Sequence, residues 1–587
     1  MAISMIAFGL LIALSTTAQN QQGFKWIKTH GGLNSFNPEW VLDMEVDRFG
    51  NLYVAGTVND LFVRDSNGNV IKRQSIPSLD SLYNHGGVDI WVAKYNPEGQ
   101  NLWHRYAGSG SDDDYYDMVC DEDGNCYIAG NLKYNNLRPA HSFGRQLLAD
   151  NEKGTFIAKL NSNGTLVWHK SFEGDTIQGS YFEYQASIYD LSLENQIKAF
   201  FIGGGDLPWG YMKLYDRDSL DLGIHEARFD LNGNYLGVRS FPFPDWNKMP
   251  QVTAINRNSH GTYISGNLNR DTTLVGNDTV LNGGFNNAFV FAFDTALQYT
   301  WKFNPTNDFD AFRDATVFGD TLIAAGNIGS INQAVTTFDT INYNTDPNAL
   351  QEGGIFIFDS QGKLLGILPG LGIGNNYRTI AGSVHADSRF MGIGGSFDFQ
   401  LTFSQNGPYM RAIDHCQSCQ NIDLFFALFD RSGNFIAESA IYSSGFGTDA
   451  VFDMEFTDSV VYIGGFIGDT VIIPGVDTLI TQGDNDAFLA AYRLQGSTSL
   501  HENNIIHANQ GLLAYPNPNQ GVFHIMGKPL NNKAQLYNLK GQLIQEFKLD
   551  VNQFNQPLET KAVPAGIYFL VVQGEKERQL LKLVITD

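Results

Sequence analysis

A chain of 587 residues is too long for one hydrophobic core, and long enough for a large domain with a smaller one beside it. Charged residues make up only 17% while aromatics reach 13% and glycines number 61, a balance that suits short strands and tight turns and excludes a coiled coil or a disordered chain. The net charge of −24 argues against a phosphate backbone as partner, so no nucleic acid is expected.

The chain opens with a nine-residue apolar run, Ile6 to Leu14, followed by Ser15-Thr16-Thr17-Ala18. A helix needs about 20 residues to cross a hydrocarbon core of roughly 30 Å. The short run and the small residues after it read instead as a secretory signal peptide over residues 1–18, cut after Ala18. No Cys follows the cut to carry a lipid, and no later stretch is long and apolar enough to be a transmembrane anchor.

After the leader the sequence repeats itself. The first full unit runs from Asp43-Met-Glu-Val-Asp47 through a turn at Gly50-Asn51 to Leu52-Tyr-Val-Ala-Gly56. It resumes at Asp89-Ile-Trp-Val-Ala-Lys-Tyr95, turns at Asn96-Pro-Glu-Gly99 and ends with Asn101-Leu-Trp103. Alternating apolar and polar positions between Asp/Asn-Gly turns predict four antiparallel strands. The second unit repeats the pattern, with Cys120 and Cys126 flanking its first turn, Asp121-Glu-Asp-Gly-Asn125. Residues facing each other across such a hairpin lie close enough for a candidate disulfide. The acidic run Asp112 to Asp117 leads into that unit. Calcium favours such hard oxygens, but no spaced ladder of ligands follows, so a solvated loop is the reading. Asp121-Glu-Asp-Gly-Asn125 likewise falls where Asp47-Arg-Phe-Gly-Asn51 stands in the first unit, so turn chemistry explains it.

The second turn recurs at Gly99, Gly164, Gly233, Leu297, Gly362, Gly433 and Gly496, spaced 63 to 71 residues apart. The first hairpin marks seven units independently, at Gly56, Gly130, Gly204, Gly266, Gly326, Gly395 and Gly465. Trp26, Trp103, Trp168 and Trp301 share one repeat position and read as packing residues. Trp209 and Trp246 fall off the grid, in Pro/Gly-rich loops where aromatics are candidates for contact with a sugar or partner. Cys416 and Cys419 form a Cys-x-x-Cys in a polar loop. Such a pair serves as a redox couple, a zinc half-site or a plain disulfide; with no second pair or His cluster beside it, a structural disulfide is expected. The seventh unit lacks its last strand. A matching segment, Phe24-Lys-Trp26-Ile-Lys-Thr-His-Gly-Gly32, precedes the first unit. A strand supplied from the N-terminus would complete the last sheet and leave no open edge. The expected fold is therefore all-β: a seven-bladed β-propeller over residues 24–496, closed by an N-terminal strand. These units resemble the SBBP-type β-propeller repeats of exported bacterial proteins, most closely in the first two.

Residues 497–511 are polar and irregular, and the charge changes across them: residues 1–496 carry −25 and residues 512–587 carry +2. The last segment alternates like a small Ig-like β-sandwich, with turns at Asn519-Gln-Gly521 and Lys540-Gly541. Tyr515, Pro516, Asn517, Pro518, Gly521, Gly541, Gly566, Tyr568 and Lys582 resemble the motifs of the type A C-terminal sorting domain of the type IX secretion system. That resemblance implies passage through the periplasm and across the outer membrane of a Gram-negative bacterium. It also implies the type IX machinery as partner, and a protein secreted or held at the cell surface.

Nucleophile, zinc-protease and phosphate-loop motifs are absent, so no catalytic residue, metal or cofactor is expected. A glycosidase would need two carboxylates about 5–9.5 Å apart. Asp308, Asp310 and Asp314, or Asp206 and Asp216, are candidates, but spacing along the chain does not place them in space. The expected function is non-catalytic binding or adhesion to a protein or glycan through propeller loops. A surface glycan-active hydrolase or lyase is the alternative, and a structural surface-layer component a third.

Overall fold

The computed structural model describes most of residues 23–494 and 513–585; residues 1–22, 495–512 and several connections between strands lie outside the described residues. The chain divides into two compact bodies, residues 1–498 and 499–587. No helix occurs among the described residues, and hence none long and apolar enough to cross a membrane.

The larger body is a succession of four-stranded antiparallel groups. In the first sheet, Trp40–Val46 pairs with Leu52–Asn59, then Val88–Tyr95, then Asn101–Gly108. Five further groups follow the same order; their innermost strands are Asp114–Cys120, Ser187–Leu193, Gln251–Asn258, Ala311–Phe318 and Tyr377–Ala386. The seventh has Ala450–Phe456, Val460–Ile467 and Asp486–Arg493. Its fourth strand is Gly23–His30, antiparallel to Asp486–Arg493 with Ile27 opposite Ala490. Each innermost strand packs against those of two neighbours, in sequence from first to seventh and from the seventh back to the first.

Two devices join neighbouring sheets. Trp103, on the outer strand of the first sheet, donates its indole N–H to Ser162 O at 3.0 Å in the second; Trp168 bonds Leu231 O at 3.2 Å and Trp301 bonds Ser360 O at 3.1 Å in the same way. Each ring covers a turn glycine that has a left-handed φ, such as Gly164 at φ 70°, where an added Cβ would stand 2.6 Å from Trp103. Trp26 of the N-terminal strand does the same on the first sheet, bonding Pro97 O at 3.1 Å over Gly99. The third sheet departs from this pattern. Gly237 takes the Trp position, opposite Arg228 as Trp168 is opposite Lys159. The facing turn of the fourth sheet carries Leu297 at φ 61°, its side chain buried with Phe241 and Phe293. There Arg239 Nη1 donates to Thr295 O at 2.8 Å, in place of the missing indole.

The turns themselves are Asx turns. Asp121 Oδ1 accepts from Asp123 N at 3.1 Å and Asn125 N at 2.8 Å, as Asp47 Oδ1 does from Phe49 N and Asn51 N at 2.9 Å. Cys120 and Cys126 face each other across their hairpin and form a disulfide with a Cα separation of 4.1 Å.

The C-terminal body has two small antiparallel sheets around one core. Leu513–Tyr515, Val522–Met526 and Asn555–Glu559 form the first; Leu543–Lys548, Lys533–Asn538, Gly566–Gln573 and Arg578–Ile585 form the second. Phe523 and Ile525 from one meet Leu536, Leu570 and Leu583 from the other.

Candidate functional site

Each innermost strand contains a β-bulge three residues in, or near it, where one residue is skipped in the pairing with its partner. The skipped residues are Leu42, Tyr116, Tyr189, Thr253, Arg313, Gly382 and Phe452. The bulge re-aims the side chains around it. The residue that follows is Asp43, Asp117, Asp190, Asp314 or Asp453 in five sheets, and Ala254 or Ser383 in the other two. Two residues further on stand Glu45, His385 and Glu455.

The Asp carboxylates reach across to the next innermost strand. Asp43 Oδ2 accepts from Met118 N at 2.8 Å and from Tyr115 Oη at 2.7 Å. Asp117 accepts from Leu191 N, Asp314 from Val384 N at 2.8 Å, and Asp453 from Met44 N at 2.6 Å. The last of these joins the seventh sheet to the first.

Burial pushes every one of these carboxyls up, and in all but Asp43 the charge of a neighbouring carboxylate pushes the same way. Asp117, Asp190, Asp453 and Glu455 are held well above the ordinary range, and Asp43 is raised despite its amide bonds. Asp314 is pushed to about 7 and Glu45 to about 8. Asp117, Asp190, Asp314 and Asp453 each feel the charge on Asp43, so acids from five sheets share one interior space. Burial also lowers His385 to about 4, so its imidazole is neutral at pH 7; Nδ1 lies 3.2 Å from Oε1 of Glu455, which burial and neighbouring carboxylates raise.

Two cavities open at the end where the innermost strands begin. One, of about 350 Å³, is lined by residues of the fourth to seventh sheets. The other, of about 260 Å³, lies between Trp40, Val88 and Asp112 to Tyr115. In the second, the acidic run is dispersed and is not one solvated loop. Asp112 accepts from Val88 N at 2.9 Å, Asp113 is buried against Ser109 and Lys133 N, Asp114 pairs with Lys133 at 2.8 Å, and Asp117 belongs to the interior carboxyls. Burial raises Asp113 to about 7. Among the described residues, no three His, Cys, Asp or Glu side chains are grouped as metal ligands would be.

Of the carboxylates singled out in the sequence, only Asp314 is described, and it stands among the interior carboxyls. Asp206, Asp216, Asp308, Asp310, Trp209, Trp246, Cys416, Cys419 and Ala18 lie outside the described residues. In the C-terminal body, Tyr515 pairs with His524 and Lys582 with Phe569. Gly521, at φ 88°, accepts from Thr560 N at 2.7 Å. Tyr568 Oη, two residues after Gly566, donates to Pro564 O at 2.8 Å. Pro516, Asn517, Pro518 and Gly541 are outside the described residues.

Residues 513–586 match the family model of the secretion system C-terminal sorting domain. The protein is thus one exported to the cell surface or secreted, with a tail that engages the type IX secretion machinery. No curated protein matches the chain. Among solved structures, PorZ, a surface component of the type IX secretion system of Porphyromonas gingivalis, is 10% identical with a TM-score of 0.14, covering 96% of this chain and 100% of its own. Trypanosoma rangeli sialidase is 10% identical at 0.24, covering 83% of this chain and 86% of its own. The rhamnogalacturonan lyase YesW is 11% identical at 0.22, covering 74% of this chain and 81% of its own. None of these likenesses is close enough to bear on fold or activity.

Proposed function

We propose that residues 24–496 form a seven-bladed β-propeller of SBBP-type repeats, closed by the N-terminal strand, and that it works outside the cell as a non-catalytic binding or adhesion module. In this reading the leader is removed after Ala18, the Ig-like sorting domain carries the chain through the type IX system, and a protein or glycan is held by the loops of one face. Trp209 and Trp246 are its candidate contacts, and Cys416 and Cys419 a second structural disulfide, all four outside the described residues. Three observations support the propeller: the Gly23–His30 pairing with Asp486–Arg493, the succession of innermost strands, and the indole bond of Trp26, which repeats that of Trp103.

The observation that carries the binding reading is the difference between the two ends of the sheets. Among the described residues one end has short, tight turns, most of them Asx turns closed by their own hydrogen bonds. The other collects the longer connections and both cavities. The convergence of acids with raised pKa favours a second reading, a glycan-active enzyme. Against it, the same carboxylate recurs from sheet to sheet, and in four of the five it is bonded to a backbone amide of the next strand. A repeated joint of this kind holds sheets together, whereas a catalytic pair would be singular.

Intact mass and location of the protein made by its native host come first. Loss of residues 1–18 and of the C-terminal body, with the remainder outside the cell, is expected; a retained tail and a periplasmic protein would overturn the delivery reading. Glycan and surface-protein arrays beside a reducing-end assay then separate binding from turnover. Steady release of reducing ends, abolished by Asp314→Asn, would establish the enzyme instead.

A further inference from the structure

We propose that the larger cavity holds a single carboxylate-bearing sugar, a uronic acid at the end of a glycan chain, with Arg313 as the group that recognises its carboxylate. This rests on the binding reading and specifies its ligand.

The cavity is framed by the bulges. Thr253, Arg313, Gly382 and Phe452, the skipped residues of four consecutive innermost strands, all line it. A bulge leaves the extra residue unpaired and re-aims it, so these four side-chain positions are delivered to one place by one repeated device. The volume of about 350 Å³ is near the low end for ligand pockets. It suits one or two rings and is too small for a helix or a strand.

Arg313 is the cation of this site. Its side chain is exposed into the cavity, partial desolvation there lowers its pKa, and no neighbouring carboxylate among the described residues raises it. The guanidinium is thus open to a ligand, and its planar fork matches a carboxylate with two parallel hydrogen bonds. The remaining polar lining is neutral. Gln251 and Gln351 offer amides, and Asn267 Oδ1 is buried with no donor among the described residues. Amides of that kind pair with ring hydroxyls. Phe452 supplies an apolar wall for the C–H face of a sugar, held in place by Trp40 at 5.7 Å and Phe466 at 5.4 Å.

Charge selects the end of a chain over its middle. Asp314, next along the same strand, is pushed up to about 7, and burial raises Asp453 as well, which weakens the counter-charge they present to the guanidinium. Residues 1–496, which include the site, carry −25 and repel a long polyanion. One terminal carboxylate reaches Arg313 without bringing its neighbours along.

The test is calorimetric titration of the full chain with methyl β-glucuronide and methyl β-galacturonide. Methyl β-glucoside, acetate and inorganic phosphate serve as the neutral-sugar and bare-anion probes, and a glycan array is run on the same protein. The uronides are expected to bind at least 10-fold more tightly than the neutral sugar or either anion. Arg313→Gln should weaken them by about 10- to 100-fold, the worth of a charge-assisted hydrogen bond, and Arg313→Lys by less. An unchanged thermal midpoint shows that the variant is folded, and Gln351→Ala, away from the charge, should weaken uronides and glucoside alike. Equal binding of acetate and the uronides, or uronide binding that survives Arg313→Gln, overturns the assignment. Array hits confined to neutral glycans overturn it while the binding reading stands; an array and a surface-protein screen that are both blank overturn the binding reading as well.

Discussion

If the N-terminal strand closes the large body, Trp26 carries as much stability as any interior repeat tryptophan. Its surroundings can be compared one for one with those of Trp103. Both rings are half-buried, cover a turn glycine of left-handed φ, and lie against a tyrosine, Tyr462 at 5.9 Å and Tyr53 at 6.0 Å. Both donate to a carbonyl of the next sheet, at 3.1 Å and 3.0 Å. Truncating a fully buried tryptophan to alanine costs about 3–5 kcal/mol. Half-burial reduces this to roughly 2–3 kcal/mol, and the indole hydrogen bond adds about 1 kcal/mol. Trp26→Ala and Trp103→Ala should therefore each cost about 2–4 kcal/mol and agree to within about 1 kcal/mol. The measurement is the urea midpoint of the large body at constant m-value, followed by circular dichroism so that loss of a fluorophore does not confuse the readout. Trp26→Phe, which keeps much of the ring but not the N–H, should recover most of the loss. A Trp26→Ala variant within about 0.5 kcal/mol of the parent, beside a Trp103→Ala variant that loses several times that, would refute closure by this strand.

The interior carboxyls predict an inverted pH profile. Groups raised above their unfolded values bind protons in the folded state that the unfolded chain has already released, so stability is full below about pH 4 and falls as pH rises through about 7 and 8, where Asp314 and Glu45 titrate. Midpoints at pH 5 and pH 8 check this. Asp314→Asn should take at most about 1.4 kcal/mol per pH unit out of the slope, and a profile that rises with pH would sink the idea. Glu226 is fully buried and bonded by Arg239 at 2.6 Å and Arg257 at 2.7 Å. Glu226→Gln leaves both guanidiniums facing a neutral amide and should cost about 3 kcal/mol in the same denaturation; Asp123→Asn, in an exposed pair with Arg48 at 3.6 Å, should cost under about 0.5 kcal/mol. Gly164→Ala, at φ 70° and 2.6 Å from the Trp103 ring, should lower the melting temperature by the equivalent of about 2 kcal/mol or more.

What the sequence made legible and what it hid follow from two kinds of spacing. Turn chemistry is local, so Asp47-Arg-Phe-Gly-Asn51 and its copies set the hairpins, and the strand around Trp26 could be matched to that around Trp103 before any pairing was known. The disulfide of Cys120 and Cys126 followed from the same hairpin geometry. Of the interior carboxyls only Asp314 was singled out, and its convergence with the others was not read. Asp43 served only to mark the start of a unit and Asp117 as part of an acidic run, because the bulge breaks the period-two alternation that assigns a side chain to a face. A signal was there: an Asp stands 12 to 14 residues before the hairpin glycine in five of seven repeats, as Asp43 does before Gly56 and Asp453 before Gly465. Arg313 was missed for the same reason, since a lone arginine gains meaning only when Thr253, Gly382 and Phe452 arrive beside it from other sheets.

The exchange between Gly237 and Leu297 bears on how such a chain can change over time. Where a tryptophan stands on one repeat it covers a bare glycine on the next; here the large residue has moved to the other partner and Arg239 has taken over the lost donor role. Between the fifth and sixth repeats, by contrast, Gly366 holds the tryptophan position, Gly433 stays bare and Leu368 covers it. The unit that must stay matched is therefore the seam between two repeats, and not the repeat itself. A copy of the third repeat placed after the first would bring a turn glycine where Trp103 already fits. The same copy placed before the second would offer Gly237 to Gly164 with nothing set to cover it, the work that Leu368 does for Gly433. A change at one side of a seam calls for a covering group from somewhere in that seam, so the repeats of this chain have become individuals with fixed seats.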